Sequence, residues 1–386
     1  MKKILLSVMT MALFCSCQKD ELEPDLELIE NQIKELFGDN WRDEVPYITM
    51  TSGRELDATK PRIGLRLAGS GTAYINWGDG TPIQKVLLLD VAPNEEVKHY
   101  YTKNNGQSVT IIGHNITFLD CSGYGLRSLD VSQNPALKEL HCFNNAISKL
   151  DISKNLALTH LNAKCNSLTS LDVSQNTQLI SLAVYINKIT ELDVSNNRAL
   201  ESLQCGVTQL TSLDLSNNEA LTHLSCRYSL LWSLDLSNNS ALIDLDCSDS
   251  KLLTLDLSNN KALKFLNCSS NWLGSLDLSN NSALTGLICT SCGLRDLDVS
   301  NNIALTRLNC GGNELTNLDL SNNKALVGVY CEKNKFQVDG LNALFNSLPT
   351  VKTGDIYIDA NPGTNGSGLN KGIAEKKGWS FRSIVC

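Results

Sequence analysis

The sequence predicts a mainly β fold: a solenoid of about eleven coils stacked on one parallel sheet, preceded by a small β-sandwich. Three observations carry that prediction. Over residues 116–336 the chain repeats itself every 21 residues without insertion or deletion, and a fixed period of that size marks units that stack on their neighbours. Aspartate keeps the same step at Asp130, Asp151, Asp172, Asp193, Asp214, Asp235, Asp256, Asp277, Asp298 and Asp319. Cysteine keeps it at Cys121, Cys142, Cys205, Cys226, Cys247, Cys268, Cys289, Cys310 and Cys331, with Ala163 and Val184 in the two remaining places.

In chain order, residues 1–16 read as a lipoprotein signal peptide. Lys2 and Lys3 give a positive start, and residues 4–14 are an apolar run too short to span a bilayer as a permanent anchor. Ser16 before Cys17 resembles a lipobox, which makes Cys17 the residue that receives lipid; a plain cleaved signal is the competing reading. Lipid chains hold by buried methylenes, so the expected membrane contact is the lipid anchor alone. The run Gln18, Lys19, Asp20, Glu21 resembles the acidic export signal of Bacteroidetes surface lipoproteins. That resemblance implies an outer-membrane, lipid-anchored, surface-exposed protein. Residues 17–45 are then a tether and a short amphipathic helix. Leu26, Ile29, Ile33, Leu36 and Phe37 fall at helical spacing, and Gly38 is placed to stop it.

Residues 46–115 change character. Short β-rich runs at 63–67, 73–77, 83–89, 97–101 and 109–112 are separated by Gly and Pro. Gly78, Asp79, Gly80 and Thr81 make a turn between two of them. The string INWGDGT, followed by HYYT and VTIIG, resembles a PKD-type immunoglobulin-like sandwich. Asp79 reads as a turn former, with calcium binding as the alternative. The segment is expected to space the solenoid from the membrane and to cover its first apolar end.

In residues 116–336 one unit reads LxxLxCxxNxLxxLDLSxNxA, whose first half fits the leucine-rich-repeat consensus. The LxC triplet alternates in and out with the two-residue period of a strand. Eleven such strands at ~4.8 Å per coil would make a rod roughly 50 Å long. The LDLSxN half returns the chain, and Asn134 to Asn323 close it once per coil, an amide at a tight turn being able to satisfy bent backbone. A second Asn column, at Asn145, Asn166, Asn187, Asn271, Asn313 and Asn334, is interrupted by Tyr124, Thr208, Ser229, Ser250 and Cys292, so weaker turn satisfaction is expected there. Because Ala163 and Val184 stand in for cysteine, the ladder reads as buried reduced thiols packing as small hydrophobes. Vertical disulfides are disfavoured, since parallel neighbours hold Cβ atoms ~4.8 Å apart against the ~3.8 Å a disulfide prefers. The Asp column reads as Asx turns, with a calcium-lined edge as the alternative. The alternation of LxxLxCxxN with LxxLDLSxN resembles the internalin-type leucine-rich repeats, in their cysteine-ladder form. That resemblance implies an extracellular recognition or adhesion surface.

Residues 337–386 break the period and read as a capping segment: helix over 338–348, strand over 356–359, loop over 361–368, helix over 369–377 and strand over 379–385. Cys165 and Cys386 have no assigned partner.

Chemistry is sparse. The sequence holds no HExxH, GxSxG, phosphate loop or EF-hand loop, so no enzyme activity and no cofactor or metal is expected. The formal charge of −8 with no basic run excludes nucleic acid as the natural partner. The residue before each Leu of the LxC strand, the one between, and the one after Cys point outward together. Those columns name a ligand-binding face: His141, Phe143, His160, Lys164, Tyr185, His223, Arg227, Asp244, Asp246, Phe265, Arg307 and Tyr330, with Tyr228 just beyond. Aromatic and Arg side chains on an exposed sheet are what hot spots are made of. The expected ligand is a protein on a host or bacterial surface; a glycan is the alternative, and a structural rod without a ligand the third reading.

Overall fold

The computed structural model describes residues 26–53, 62–91, 95–102 and 106–383. Cys17, the leader before it, the run Gln18 to Glu21, and Cys386 lie outside them. Helix α1 (Leu26–Phe37) and the short α2 (Trp41–Glu44) lead the chain in. Ile33 and Trp41 are buried against Ile112, and Phe37 meets Tyr74 edge-on at 5.1 Å. No helix among the described residues is long and apolar enough to cross a membrane.

Five strands follow: β1 (Tyr47–Ser52), β2 (Arg62–Asn76), β3 (Gln84–Leu88), β4 (Val97–Tyr100) and β5 (Ser108–Ile112). Strand β1 is not among the expected runs, although Ile48, Thr49, Met50 and Thr51 alternate apolar and polar and Ile48 and Met50 are buried. The two runs expected at 63–67 and 73–77 are one strand of 15 residues, β2. It shifts register against β6 between Ala68 and Gly69, and its two halves serve different sheets, residues 62–70 pairing with β4 and β6 and residues 71–76 with β3 and β5. Glycine at 69 is required by close approach, since a Cβ there would stand 1.8 Å from the Asn115 carbonyl oxygen.

This segment is fused to the solenoid rather than set before it. In the first coil, β6 (Asn115–Asp120) pairs antiparallel with the first half of β2, bringing Arg66 opposite Asp120. On the return side β7 (Leu126–Asp130) pairs with β1, bringing Met50 opposite Leu129. The front sheet therefore runs β4–β2–β6 and onward into the coils, while the back sheet runs β3–β2–β5–β1–β7. Both open sides of the first coil are covered by backbone hydrogen bonds, which removes the edge that stacked strands would otherwise expose.

Each later coil contributes one three-residue strand: β8 (Glu139–His141), β9 (His160–Asn162), β10 (Ser181–Ala183), β11 (Ser202–Gln204), β12 (His223–Ser225), β13 (Asp244–Asp246), β14 (Phe265–Asn267), β15 (Gly286–Ile288), β16 (Arg307–Asn309) and β17 (Gly328–Tyr330). All pair in parallel and in register, with Leu140, Leu161, Leu182, Leu203 and Leu224 directly above one another. The strand begins one residue earlier than the LxC triplet suggests. Parity is unchanged, so Leu and Cys still point in. All nine ladder cysteines have 0% exposure. The described cysteines are free thiols, and Cys165 is half-buried.

The segment after Phe336 extends the sheet: β18 (Gly354–Tyr357) and β19 (Trp379–Phe381) pair in parallel with β17 and with each other. The solenoid thus makes about 13 turns rather than eleven. Helix α3 (Val338–Ser347) fills the return side, burying Leu341, Leu344 and Phe345. The helix expected over 369–377 is only α4 (Gly372–Glu375). Trp379 closes the end, buried, its Nε1 donating to the Pro349 carbonyl at 2.8 Å.

The polar columns hold the turns. Asn197 Nδ2 donates to the Val173 and Asn176 carbonyls at 3.0 and 2.8 Å, and the pattern repeats coil after coil. In the second column Asn271 Nδ2 donates to the Cys247 and Cys268 carbonyls, and its Oδ1 accepts from the Leu252 N–H. Thr208 has no amide to offer and donates only to the Cys205 carbonyl at 2.7 Å. Cys292, in the same column, uses its thiol toward the Cys268 carbonyl at 3.1 Å. Every column Asp accepts from the backbone N–H two residues on, as Asp214 does from Ser216 at 2.9 Å. Those bonds hold the Asp214 carboxyl below its ordinary value, backbone N–H first and Ser216 hydroxyl second.

The left-handed position falls one residue before the second Asn column, not on it: Asn144, Cys165, Ile186, Val207, Tyr228, Asp249 and Ser270 have φ between 51° and 55°. A β-branched side chain is strained there. Val207→Gly is therefore expected to stabilise the chain by about 1 kcal/mol, with the gain in backbone strain exceeding the added entropy of the unfolded state. An unchanged or lower urea midpoint would show that strain at Val207 is absorbed elsewhere.

Candidate functional site on the sheet face

Parallel pairing in register places each outward side chain of a coil beside its equivalent in the next coil. All the face residues named above except Tyr228, which follows the strand, fall on these columns and lie on one side of the sheet. Their inward neighbours are Leu, Cys, Ala or Val throughout, because only those fill the narrow interior.

The structure brings them into local groups. His141 lies 5.3 Å from the Phe118 ring and 3.8 Å from Glu139. Lys164 Nζ sits 5.2 Å over the Phe143 ring of the previous coil. Arg227 reaches past one coil to Tyr185, with its guanidinium carbon 5.0 Å from that ring and a guanidinium N–H donating to the Tyr185 hydroxyl. Tyr228 flanks the same guanidinium at 5.9 Å. Gly206, on the rung between, makes this possible: a Cβ there would stand 2.5 Å from the Arg227 carbonyl oxygen and 3.1 Å from Arg227 Cγ. Tyr228 is 54% exposed and points a free ring face at solvent. His160 and His223 each accept or donate a local bond with the Thr hydroxyl before them.

Asp244 and Asp246 follow in the next coil. Burial raises the Asp244 carboxyl above its ordinary value, with His223 acting in the opposite sense. Asp246 is turned back on its own strand, accepting from the Ser248 hydroxyl at 2.6 Å. Phe265 lies over Gly286, and Arg307 is exposed. Tyr330 stacks on Tyr357 at 4.4 Å and 14°. That partner comes from β18, so the stack could not be read from the repeat.

One surface group escapes the column reading. Trp232 and Trp272 are 50% and 59% exposed and meet at 5.9 Å on the rim beyond the strands, with Lys251 Nζ 5.3 Å over the Trp232 ring. Leu230 and Leu253 continue the patch. For Trp232 the signal is in the sequence, since equivalent places in earlier coils hold Ser148, Thr169, Thr190 and Thr211; Trp272 falls in another column, in line with Leu230 and Lys251. Among the described residues no group of three or more His, Cys, Asp or Glu could hold a metal ion.

One strand per coil, a leucine and cysteine interior and a variable outward sheet define a leucine-rich-repeat solenoid, a class that generally serves recognition of other molecules. Among solved structures the chain is similar to the functional domain of InlJ from Listeria monocytogenes, which includes a cysteine ladder. Identity is 35% over 63% of this chain and 58% of that one, with a TM-score of 0.55. The chain thus spans less than two thirds of that domain. An internalin, InlF, from the same organism shares the fold at 19% identity over 70% of this chain and 87% of that one, with a TM-score of 0.58. A leucine-rich-repeat protein of Leptospira interrogans does so at 19% over 65% and 74%, with a TM-score of 0.56. No protein-family model matches the chain, and no curated protein does.

Proposed function

We propose that the chain is a cell-surface lipoprotein whose sheet face binds a protein partner in adhesion or recognition, without catalysis. Lipid on Cys17 would hold it to the outer membrane, with the PKD-like segment as spacer and first cap. The carrying observation is Arg227 held between Tyr185 and Tyr228 over Gly206, since a guanidinium pre-oriented by rings gives up little freedom when a partner arrives. Replacing Tyr185, Arg227 and Tyr228 together by alanine is expected to lower retention of surface proteins on the immobilised protein at least tenfold, with the melting temperature unchanged within a few degrees. Full retention of every protein bound by the unaltered chain removes this face from the reading.

A second reading, glycan binding, is favoured by the Trp232 and Trp272 pair, whose exposed rings are the kind of surface on which a sugar ring stacks. A glycan array read with Trp272→Ala separates the two.

A further inference from the structure

The outward column that carries Arg227 in its middle ends on Gly311, Glu332 and Asp359. Glu332 is 8% exposed, and its Oε2 is buried with no partner among the described residues. A buried carboxylate oxygen without a donor leaves hydrogen-bonding capacity that an incoming N–H can fill. The side chain lies across Gly311: a Cβ built there would stand 2.6 Å from Glu332 Oε1 and 2.9 Å from its Cδ. A glycine on that rung is what gives the carboxylate its room.

Beside it on the same face, the Tyr330 and Tyr357 rings stack on each other along the column at 4.4 Å and 14°, so each offers a ligand only its outer ring face. A guanidinium already docks at this end of the sheet, since Arg382 Nε donates to Asp355 Oδ1 at 2.9 Å next to Tyr357. An acidic group with an unmet hydrogen-bonding oxygen, next to the outer face of a tyrosine ring, is complementary to a planar cation that stacks and donates at once. Guanidinium fits that description, and a compact, strongly hydrated ammonium does not.

We infer that Glu332, with Tyr330 and Tyr357, forms a subsite for an arginine side chain of the protein partner. The inference rests on the protein-binding reading of the sheet face, and adds the chemistry that one residue of the partner must present. In the bound state the guanidinium donates to the Glu332 carboxylate and lies against the outer face of the tyrosine pair. The carboxylate turns toward it from its place over Gly311.

Fluorescence anisotropy of fluorescein-labelled tetra-arginine with the intact protein tests this. Glu332→Gln, which keeps shape and removes charge, is expected to weaken tetra-arginine at least tenfold, and Tyr357→Ala severalfold. Asp256→Asn on the exposed return column is expected to leave affinity unchanged, which separates a built site from general acidity. Tetra-lysine is expected to bind at least tenfold more weakly than tetra-arginine. Equal affinity of Glu332→Gln and the unaltered protein overturns the inference. So does tetra-lysine binding as tightly as tetra-arginine, or millimolar calcium displacing the peptide only where Glu332 is present. Partner retention in the Tyr185, Arg227, Tyr228 variant reads other residues, so failure of the face and failure of the subsite are told apart.

Discussion

Asn218→Asp is expected to lower stability by about 3–5 kcal/mol at neutral pH, the cost of leaving a charge buried without a partner. Asn218 has 0% exposure, and its Nδ2 donates to the Val194 and Asn197 carbonyls, both at 3.0 Å. Aspartate removes both donors and turns a negative oxygen toward two carbonyl oxygens. Its neutral form is the one the site tolerates, so burial raises the introduced carboxyl above its unfolded value of about 3.9. The sign follows: the loss is greatest at neutral pH and shrinks as pH falls toward that unfolded value. Asn217, the residue before it, is exposed; Asn217→Asp is expected to change stability by no more than about 0.5 kcal/mol. Urea midpoints followed by circular dichroism at pH 7 and pH 4.5 check both. If the two variants melt alike, the Asn column is not what holds the return turns.

Alkaline pH is expected to unfold the protein well before its backbone chemistry demands. Burial pushes the thiols of Cys142, Cys205 and Cys310 up to about 12 from 9.0. Cys121 and Cys226 move the same way, with burial again the first cause. Unfolded thiols release their protons from pH 9.0 upward, while the folded ones keep theirs. Stability from these groups is therefore complete below 9.0 and is lost as pH climbs toward 12. Each thiol costs about 1.4 kcal/mol per pH unit in that window, so these three remove about 4 kcal/mol by pH 10. Other groups also titrate there, so the difference is read against Cys205→Ala, a replacement that the chain itself makes at Ala163. That variant is expected to lose stability between pH 8 and pH 10 by about 1.4 kcal/mol less than the unaltered protein. Equal losses in both, or native ladder thiols that react with a disulfide reagent at pH 8 as fast as in urea, would show the sulfurs to be solvated.

Much of the solenoid is legible before any coordinates. Period, strand parity and the identity of the inner columns follow from Leu, Cys and Asn at fixed spacing, because each coil sees the same neighbours as the last. The Asx bonds of Asp130 to Asp319 are local, two residues long, and equally readable. Places where the neighbours differ are the ones misread. Strand β1 pairs with β5 and β7, so its stability comes from residues far along the chain. The two halves of β2 read as separate runs because Gly69 and Gly71 look like a turn, whereas paired strands on both sides keep it extended. Strands β18 and β19 fall where strands are expected, but they have lost the 21-residue step, so their continuation of the coil sheet from the edge of β17 is not legible in the period.

The site divides in the same way. Which residues face outward is a matter of strand parity, and Arg227, Tyr185, Tyr330 and their companions are all on that face. How they meet is not. Arg227 reaches Tyr185 only because Gly206 leaves the intervening rung empty, Glu332 lies low over Gly311, and Tyr330 finds its stacking partner in a strand outside the repeat. A repeating sequence states its own architecture, since burial of one face under a fixed step admits one stacking. Contacts among its variable side chains depend on which coils they lean across, and that is settled by packing between rungs.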